Sequence, residues 1–189
     1  MSFDVSSFIY YLLVHTDDEG SSQVVGFFSK EKQSWDLNNL ACILIFPPWQ
    51  RKGLGSILMG LSYSISRHEG LIGGPEKPLS DLGMRGYLKF WSAEIARWLL
   101  NDAHGGKTSL DEISQGTWTL KEDCLEALRY MGMLGKPGQA DARIDLQTVR
   151  EWVEKTHTSL LPTVDKDGWL AEFYCRERLG ENEDEEMEE

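Results

Sequence analysis

The chain has 189 residues, of which 41% are hydrophobic and 26% are charged, and its formal net charge at pH 7 is −12. This length suits one folded core with room for a small appended module and argues against two full-sized domains. The apolar content is typical of a globular protein and excludes a wholly disordered chain. The acidic balance argues against direct, phosphate-driven binding to nucleic acid.

Residues 8–14 and 23–28 are rich in β-branched and aromatic residues and are separated by a polar stretch that contains glycine. This pattern predicts a β-hairpin. Residues 40–46 are almost wholly apolar, which predicts a third strand, buried on both faces in the interior of a mixed central sheet. We expect that strand to end at Pro47, because proline has no N–H to donate to a sheet.

A glycine-containing loop at residues 50–55 follows this strand, and apolar residues then recur at helical spacing from Ile57 to Ile65. A Gly/Pro-rich loop at residues 70–78 leads into a long predicted helix at 82–100. The apolar face of that helix is formed by Trp91, Ile95, Trp98 and Leu99. The order of elements in this part is strand, glycine loop, helix, loop, helix, which predicts an α+β fold.

The composition turns polar and glycine-rich at residues 101–107, where we predict a boundary. Short helices are predicted at 109–114, 121–134 and 145–155, with an extended piece between the last two. We therefore divide the chain into a core at 1–100, a small winged-helix-like module at 101–170 and an acidic, disordered tail at 171–189. The last ten residues hold seven acidic and no basic residues, which suits solvated disorder.

The three cysteines, Cys42, Cys124 and Cys175, are far apart and form no Cys-x-x-Cys pair. We expect no zinc or other metal site in this chain, and a reducing compartment. Cys124 lies in a helical pattern and is predicted to be a buried, small apolar residue. The longest apolar runs are far shorter than the roughly 20 residues of a membrane span, and the first residues lack the basic and apolar regions of a secretory signal.

The loop at residues 50–55 is the most informative candidate site. Its two glycines allow backbone amides to converge on an anion, the following helix adds the positive end of its dipole, and Arg51 and Lys52 complement phosphate. It lacks both the Gly-Lys-Ser/Thr ending of a nucleotide P-loop and the dinucleotide fingerprint, so another phosphate-bearing ligand is expected. An ordinary tight turn is the alternative interpretation.

Several runs of the sequence carry a resemblance to a known family. They are 27–32 (FFSKEK), 38–44 (NNLACIL), 47–55 (PPWQRKGLG), 74–83 (GPEKPLSDLG) and 90–92 (FWS). Together they resemble the MYST family of histone acetyltransferases over residues 3–100, with a weaker similarity to about residue 157. The Gly73-Gly74-Pro75 variant is most similar to the silencing-associated fungal branch. The resemblance implies a GNAT-like fold and acetyl-CoA as cosubstrate.

The resemblance also implies a set of site residues. The apolar strand would splay from its neighbour so that the cofactor enters between them. The pantetheine arm would lie against the backbone of Ile43, Leu44 and Ile45. The pyrophosphate would lie against Gln50, Arg51, Lys52, Gly53, Leu54, Gly55 and Ser56. Ser80 would contact the cofactor near its reacting end, and Lys89, where the family often has serine, could meet a phosphate.

Two residues are candidates for the chemistry. By the resemblance Glu76 is a general base, and physical chemistry supports this role: a lysine ammonium, with a pKa of about 10.4, has no lone pair until a base removes its proton. A partly apolar loop would bury the Glu76 carboxylate and raise its pKa. Cys42 matches the family's cysteine and could take the acetyl group in a covalent route. Its apolar surroundings also suit a packed, inert cysteine on the substrate side.

The leading hypothesis is therefore a nuclear lysine acetyltransferase that acts on histone tails within a multisubunit complex, with no membrane association. A truncated, inactive paralogue that serves as a scaffold is the first alternative. An acetyltransferase for small amines is the second, since glycine-loop architectures occur beyond this family. Most of the family carries a zinc-finger segment and a self-acetylated lysine before the hairpin, and no part of this sequence matches them.

Overall fold

A computed structural model of the protein describes residues 5–101, 108–134, 144–165 and 168. In this part of the chain the strands are β1 (Phe8–Thr16), β2 (Ser22–Glu31), β3 (Asn38–Leu40), β4 (Cys42–Ile45) and β5 (Gly74–Pro75). The helices are α1 (Leu54–His68), α2 (Asp81–Asn101), α3 (Leu110–Thr117), α4 (Lys121–Tyr130) and α5 (Leu146–Thr156). Strands and helices occur in separate, packed layers, so the predicted α+β class is confirmed.

The predicted hairpin is confirmed, because β1 and β2 pair antiparallel along their whole length. Asp17 closes the turn: its carboxylate accepts hydrogen bonds from the N–H groups of Glu19 and Ser21, at 3.1 and 2.8 Å. Gly20 has a φ of 83°, which suits glycine because it has no Cβ. Across the pair the rings of Tyr11 and Phe28 stack at 4.6 Å.

The apolar run at residues 40–46 does not form one interior strand, so that prediction is wrong. It is divided between β3 and β4, and β4 is the outer strand of a three-stranded sheet in the order β1-β2-β4. β3 instead pairs in parallel with β5, which makes two small sheets in place of one mixed sheet. The physical reason is that β5 has two residues and spans only β3. Side-chain alternation then leaves Cys42 and Leu44 exposed on β4.

Helix α1 covers one face of the three-stranded sheet. Ile43 and Ile45 of β4 and Tyr11 of β1 pack against a small core formed by Phe28, Leu40, Leu58 and Ile65. The opposite face carries exposed apolar side chains, including Tyr10 and Leu12 at 50% and 59% exposure. The inner face thus positions the start of α1 beside the end of β4.

The larger core lies around α2, which contacts α3, α4 and α5. The predicted apolar face of α2 is confirmed: Trp91, Ile95 and Leu99 are buried, and Trp98 packs against the same cluster. Ser109 and Glu112 form a capping box at the start of α3, in which each satisfies a backbone N–H of the other. Cys124 is buried in this core, as predicted.

Parts of the predicted domain plan lie outside the described residues. They are the boundary at 102–107, most of the extended piece between α4 and α5, and the acidic tail at 171–189. The division at residues 100 and 170 therefore stays a prediction, although side chains from both α2 and the later helices share one core. None of the helices in the described ranges is long and apolar enough to cross a membrane.

Candidate functional site

The two sheets part at Leu40, and the candidate site lies there. The N–H of Glu76 donates to the carbonyl oxygen of Leu40 at 2.8 Å, which continues the pairing of β5 with β3. Beyond this bond, β4 pairs with β2 alone among the described strands. One edge of β4 is therefore unpaired in the described part of the chain, and the splaying of the apolar strand from a neighbour stays a prediction.

Cys42 is the first residue of β4 and is exposed. Its N–H donates to the hydroxyl of Ser29 on β2 at 3.2 Å, and the preceding N–H of Ala41 donates to the Ser29 carbonyl at 2.8 Å. The interpretation of Cys42 as a buried structural cysteine is wrong. Its backbone lies two residues from the Leu40 carbonyl that holds Glu76, so the fold brings the two candidate catalytic residues to one region.

The unpaired edge of β4 presents backbone groups of Ile43 and Ile45. The N–H of Phe46 donates to the carbonyl oxygen of Val25 on β2 at 3.0 Å. Because alternate residues of a strand direct their backbone groups to opposite edges, Ile43 and Ile45 direct theirs away from β2. Gln50 agrees with this geometry, since its side-chain amide donates to the Ile45 carbonyl at 2.9 Å. Leu44, which lies between them, points its side chain to the exposed face. The backbone N–H and carbonyl groups of Ile43 therefore point toward the opening between the two sheets.

The glycine loop follows β4 and ends at the N-terminus of α1. Gly53 is the N-cap of α1 with φ 80°, and no heavy atom lies within 4 Å of the position that a Cβ would take there or at Gly55. The side chains of Gln50, Arg51 and Lys52 are exposed. The first N–H groups of a helix have no partner within it. Of these groups, the N–H of Ser56 donates to the Gly53 carbonyl at 3.0 Å. Open space, the remaining first-turn amides and the two cations together fit a pyrophosphate group.

Trp49 contacts Lys52 of the glycine loop with its ring. It lies in a single 3-10 turn, Pro47–Trp49, where Pro47 at the first position confirms the predicted end of the strand. The Lys52 ammonium lies 4.7 Å from the centre of the Trp49 ring, and the His15 ring lies 4.8 Å from it on the hairpin. A cation over an indole face is attracted by the ring quadrupole, so Trp49 restricts where Lys52 can lie.

Glu76 is exposed, and the expectation that its loop would bury the carboxylate is wrong. The exposure of Glu76 follows from where β5 ends. This strand ends at Pro75, and the hydrogen bond from the Glu76 N–H to Leu40 is the last contact of the segment with β3. The next residue, Lys77, donates to the Asp123 carboxylate of α4 at 2.6 Å. The Lys77–Pro78 peptide is cis.

The remaining predicted residues lie near the start of α2. Ser80 precedes the helix, and its hydroxyl accepts a hydrogen bond of 3.1 Å from the N–H of Gly83. That bond is the arrangement of a helix cap, and the hydroxyl proton stays available to a ligand. Lys89 is exposed on the third turn of α2. The glycine loop and the edge of β4 are continuous in the chain, and Ser80 lies four residues after Glu76, whereas Lys89 lies further along α2.

Sequence reasoning missed two features of this region. The Asn39 side chain is 2% exposed, and neither its oxygen nor its nitrogen has a hydrogen-bond partner in the described part of the chain. Asp123 is equally buried, and burial raises the pKa of its carboxyl although the hydrogen bond from Lys77 opposes this. Asn39 and Lys77, the partner of Asp123, lie within the runs that carry the family resemblance. That position was the signal in the sequence that could have found them. No group of three metal-binding side chains occurs in the described ranges.

Comparison with known proteins identifies the family. A family model described as "MOZ/SAS family" matches residues 1–168. The chain is 42% identical over 157 residues to histone acetyltransferase SAS2 of Saccharomyces cerevisiae, an alignment that covers 82% of this chain and 44% of the yeast protein. It is 42% identical over 132 residues to histone acetyltransferase MOF of Drosophila melanogaster, covering 70% of this chain and 16% of the fly protein.

A third relative carries the family name itself. Histone acetyltransferase of the MYST family 1 from Arabidopsis thaliana is 43% identical over 132 residues, covering 70% of this chain and 29% of the plant protein. The chain therefore belongs to the MOZ/SAS family of MYST proteins, which confirms the resemblance drawn from its motifs. It spans less than half the length of these three relatives.

Proposed function

We propose that this chain binds acetyl-CoA and transfers its acetyl group to a lysine side chain of a histone tail. The observation that carries the proposal is a juxtaposition at one opening. There Glu76 is held at Leu40, the neighbouring edge of β4 is unpaired, and the glycine loop before α1 follows directly from that strand. The names of the relatives, which are histone acetyltransferases, supply the reaction class.

Acetyl-CoA would bind along the loop and the strand edge. Residues 50–56 would hold the pyrophosphate through Arg51, Lys52 and the loop amides other than those of Gln50 and Ser56, which donate to Pro47 and Gly53. A helix N-terminus and nearby cations favour an anion. The backbone N–H and carbonyl of Ile43 and the N–H of Ile45 would form hydrogen bonds with the pantetheine amides, with Leu44 between them, since the Ile45 carbonyl already accepts from Gln50. Ser80 would contact the reacting end, and Lys89 would meet a phosphate. The open space around Gly53 and Gly55 supports this arrangement.

The chemistry would take place beside Glu76. Acetyl-CoA supplies an activated acetyl thioester. Glu76 would accept a proton from the substrate lysine, and the freed amine would attack the thioester carbon, forming the C–N bond as the C–S bond breaks. Coenzyme A would leave as the thiolate and take up the proton that the new amide nitrogen loses. Solvent exposure of Glu76 lets a protein substrate reach it. Cys42, exposed on the same opening, would contact the substrate and is the group to test for a covalent route.

The architecture that goes with this proposal is a GNAT-like core followed by a small winged-helix-like module. The parting of β4 from β5, with a glycine loop and helix after it, supports the first part. The succession of short helices α3, α4 and α5 supports the second. The acidic balance suits a basic histone tail. We also propose a nuclear location and membership of a multisubunit complex without direct nucleic-acid contact; the names of the relatives as histone acetyltransferases support the nuclear location.

Calorimetry with acetyl-CoA tests the loop, using a matched pair of variants at Gly53. Asparagine and aspartate both tolerate a positive φ and have the same shape, so Gly53→Asn is the control for Gly53→Asp, which adds a negative charge beside the pyrophosphate. We expect the aspartate to weaken acetyl-CoA binding by more than about tenfold relative to asparagine, or about 1.4 kcal/mol. Equal affinities of the two variants would remove the loop from the site.

A radiolabel assay on histones then tests the transfer. Labelled histone from labelled acetyl-CoA would support the proposal, and a small-amine product without histone labelling would redirect it to the small-amine alternative. The second candidate function is an inactive scaffold subunit. Absence of measurable acetyl-CoA binding by the folded chain would favour the scaffold.

A further inference from the structure

The loop that carries Glu76 is wedged between two elements from different parts of the chain. A Cβ at Gly73 would lie 2.5 Å from the carbonyl oxygen of Leu37, just before β3. A Cβ at Gly74 would lie 2.6 Å from Asp123 Oδ2 and 3.0 Å from Leu120, at the start of α4. The distances of 2.5 and 2.6 Å are shorter than real Cβ atoms show. The two glycines are therefore needed for the loop to pass between β3 and α4.

Charged side chains tie the loop to α4 at the residue after Glu76. Lys77 Nζ lies 2.6 Å from Asp123 Oδ1. The Asp123 side chain is 2% exposed and that of Lys77 is 47% exposed, so the carboxylate is fixed in the core and the lysine reaches it from the surface. Thr119, just before α4, also forms a bridge with Gly73. The helical part of the chain thus holds the loop at both its ends.

The pair is hard to explain as a device for stability alone. A buried ion pair pays a desolvation penalty that can equal or exceed its attraction, and Asp123 Oδ2 has no hydrogen-bond partner in the described part of the chain. Asp123 also lies in the first turn of α4, where a carboxylate often caps the helix, but the group that donates to its Oδ1 is the Lys77 ammonium. The ion pair of Lys77 and Asp123 therefore acts on the loop that carries Glu76.

We propose that Lys77 and Asp123 are positioning residues, which fix the loop from α4 so that Glu76 keeps its place at the Leu40 carbonyl. This inference rests on the proposed function for its catalytic meaning, because Glu76 is the base only if the chain transfers acetyl groups. The mechanical part does not depend on it. The hydrogen bond from the Glu76 N–H to Leu40 reports on the position of the loop.

Hydrogen exchange of the Glu76 amide tests the mechanical part in the full chain. We expect Lys77→Met and Asp123→Asn each to speed this exchange by about tenfold or more, and the double variant to add little, since either change breaks the same pair. Lys77→Arg, which keeps the charge, should restore protection. The matched control is Lys121→Met, which breaks the surface pair of Lys121 with Asp111.

Two outcomes of the exchange experiment would overturn the inference. One is unchanged Glu76 exchange in both single variants. The other is a rise no greater than that of buried amides in α2, which would mean that the pair acts on global stability alone. The double variant keeps the test usable if a lone buried charge in Lys77→Met prevents folding, because Asp123→Asn removes that charge.

Steady-state kinetics test the catalytic part. With the pair broken, kcat should fall by about tenfold to a hundredfold while the KM for acetyl-CoA is unchanged, because a misplaced base lowers turnover and leaves the glycine loop intact. An unchanged kcat in an active chain whose loop exchange has risen would overturn the positioning of the base. Wild-type chain without any transfer activity would instead count against the proposed function, and the exchange result would still decide the role of the pair.

Discussion

Trp91 on α2 donates its indole N–H to the hydroxyl oxygen of Tyr63 on α1, at 2.7 Å, and both side chains are buried. This bond joins α1, which follows the glycine loop, to α2, which follows Ser80. The rings of Tyr87 and Trp91 lie 5.0 Å apart beside it. Burial raises the pKa of Tyr63 well above its ordinary value, with smaller contributions from Tyr87 and Asp123, so the phenol stays protonated.

Tyr63→Phe should destabilise the fold, because it leaves the buried indole N–H of Trp91 without its partner. The expected loss in the free energy of unfolding is about 1–3 kcal/mol, measured by urea denaturation. Tyr10→Phe is the control, since Tyr10 is half-exposed and a surface change of this kind stays within about 0.5 kcal/mol. Equal stability of the two variants would mean that the hydrogen bond contributes nothing to the core.

Gly116→Ala should destabilise although alanine is the better helix former. A Cβ at Gly116 would lie 2.1 Å from Trp98 Nε1, and forcing such a clash in a packed core costs about 1–3 kcal/mol. Gly55→Ala in α1 is the comparison, because no heavy atom lies within 4 Å of its Cβ position and the entropic gain is at most about 1 kcal/mol. Thermal unfolding should therefore shift in opposite directions, and a stabilising Gly116→Ala would contradict the packing.

Local patterns in the sequence were sufficient for most of the fold. The hairpin and the helices follow from periodicity, because Phe28, Ile95 and Leu128 occupy positions that one buried face requires. The prediction that residues 40–46 form one interior strand was wrong, for a reason that no local pattern contains. The burial of this run depends on β5, which is two residues long and comes from a distant part of the chain.

The candidate site was predictable where a motif and a local shape coincide, as at Gly53, whose positive φ the glycine loop requires. The exposure of Glu76 and Cys42 was not, since it depends on where neighbouring elements end. The contact of Lys77 with Asp123 joins residues 46 positions apart. A charged residue within a predicted helix gives no sign of such a partner, because most helical carboxylates face solvent.

The two described cysteines should differ in reactivity. Cys42 is exposed, whereas Cys124 is buried, and burial raises the pKa of its thiol to about 12. Because the thiolate is the nucleophile, iodoacetamide at pH 8 should modify Cys42 and spare Cys124 in the folded protein. Mass spectrometry of a Cys175→Ser variant gives a clean measurement. Modification of Cys124 at a comparable rate would contradict its burial, and denatured protein, in which both react, is the control.

Asp123 should make the protein less stable as pH rises. Burial raises the pKa of this carboxyl above its ordinary 3.8 in the folded state, while the hydrogen bond and charge of Lys77 lower it less, and Glu122 and Glu126 raise it slightly. The folded state therefore binds the proton more tightly, and its contribution to stability is present below the unfolded pKa and lost as pH rises through the folded pKa.

The measurement is the difference in unfolding free energy between wild type and Asp123→Asn from pH 4 to 8. Asparagine does not titrate, and the other titrating groups are shared, so they cancel. The wild type should lose stability relative to the variant as pH increases. A relative gain with pH would mean that the attraction of Lys77 outweighs burial, and that the folded pKa is lowered.

Glu76→Gln should lower the rate of acetyl transfer by about a hundredfold to ten-thousandfold, because glutamine keeps the size of glutamate but cannot accept the lysine proton. Acetyl-CoA affinity should hold, since the glycine loop lies elsewhere on the opening. The rate should recover only near the lysine pKa of about 10.4, where free amine is already present. Cys42→Ala is the comparison that decides the mechanism: direct attack needs no thiol, and Cys42 is exposed, so its packing loss is small. We expect that variant to keep most of its activity. If Glu76→Gln stays near wild type at neutral pH while a folded Cys42→Ala is inactive, the thiol carries the acetyl group and Glu76 is not the base.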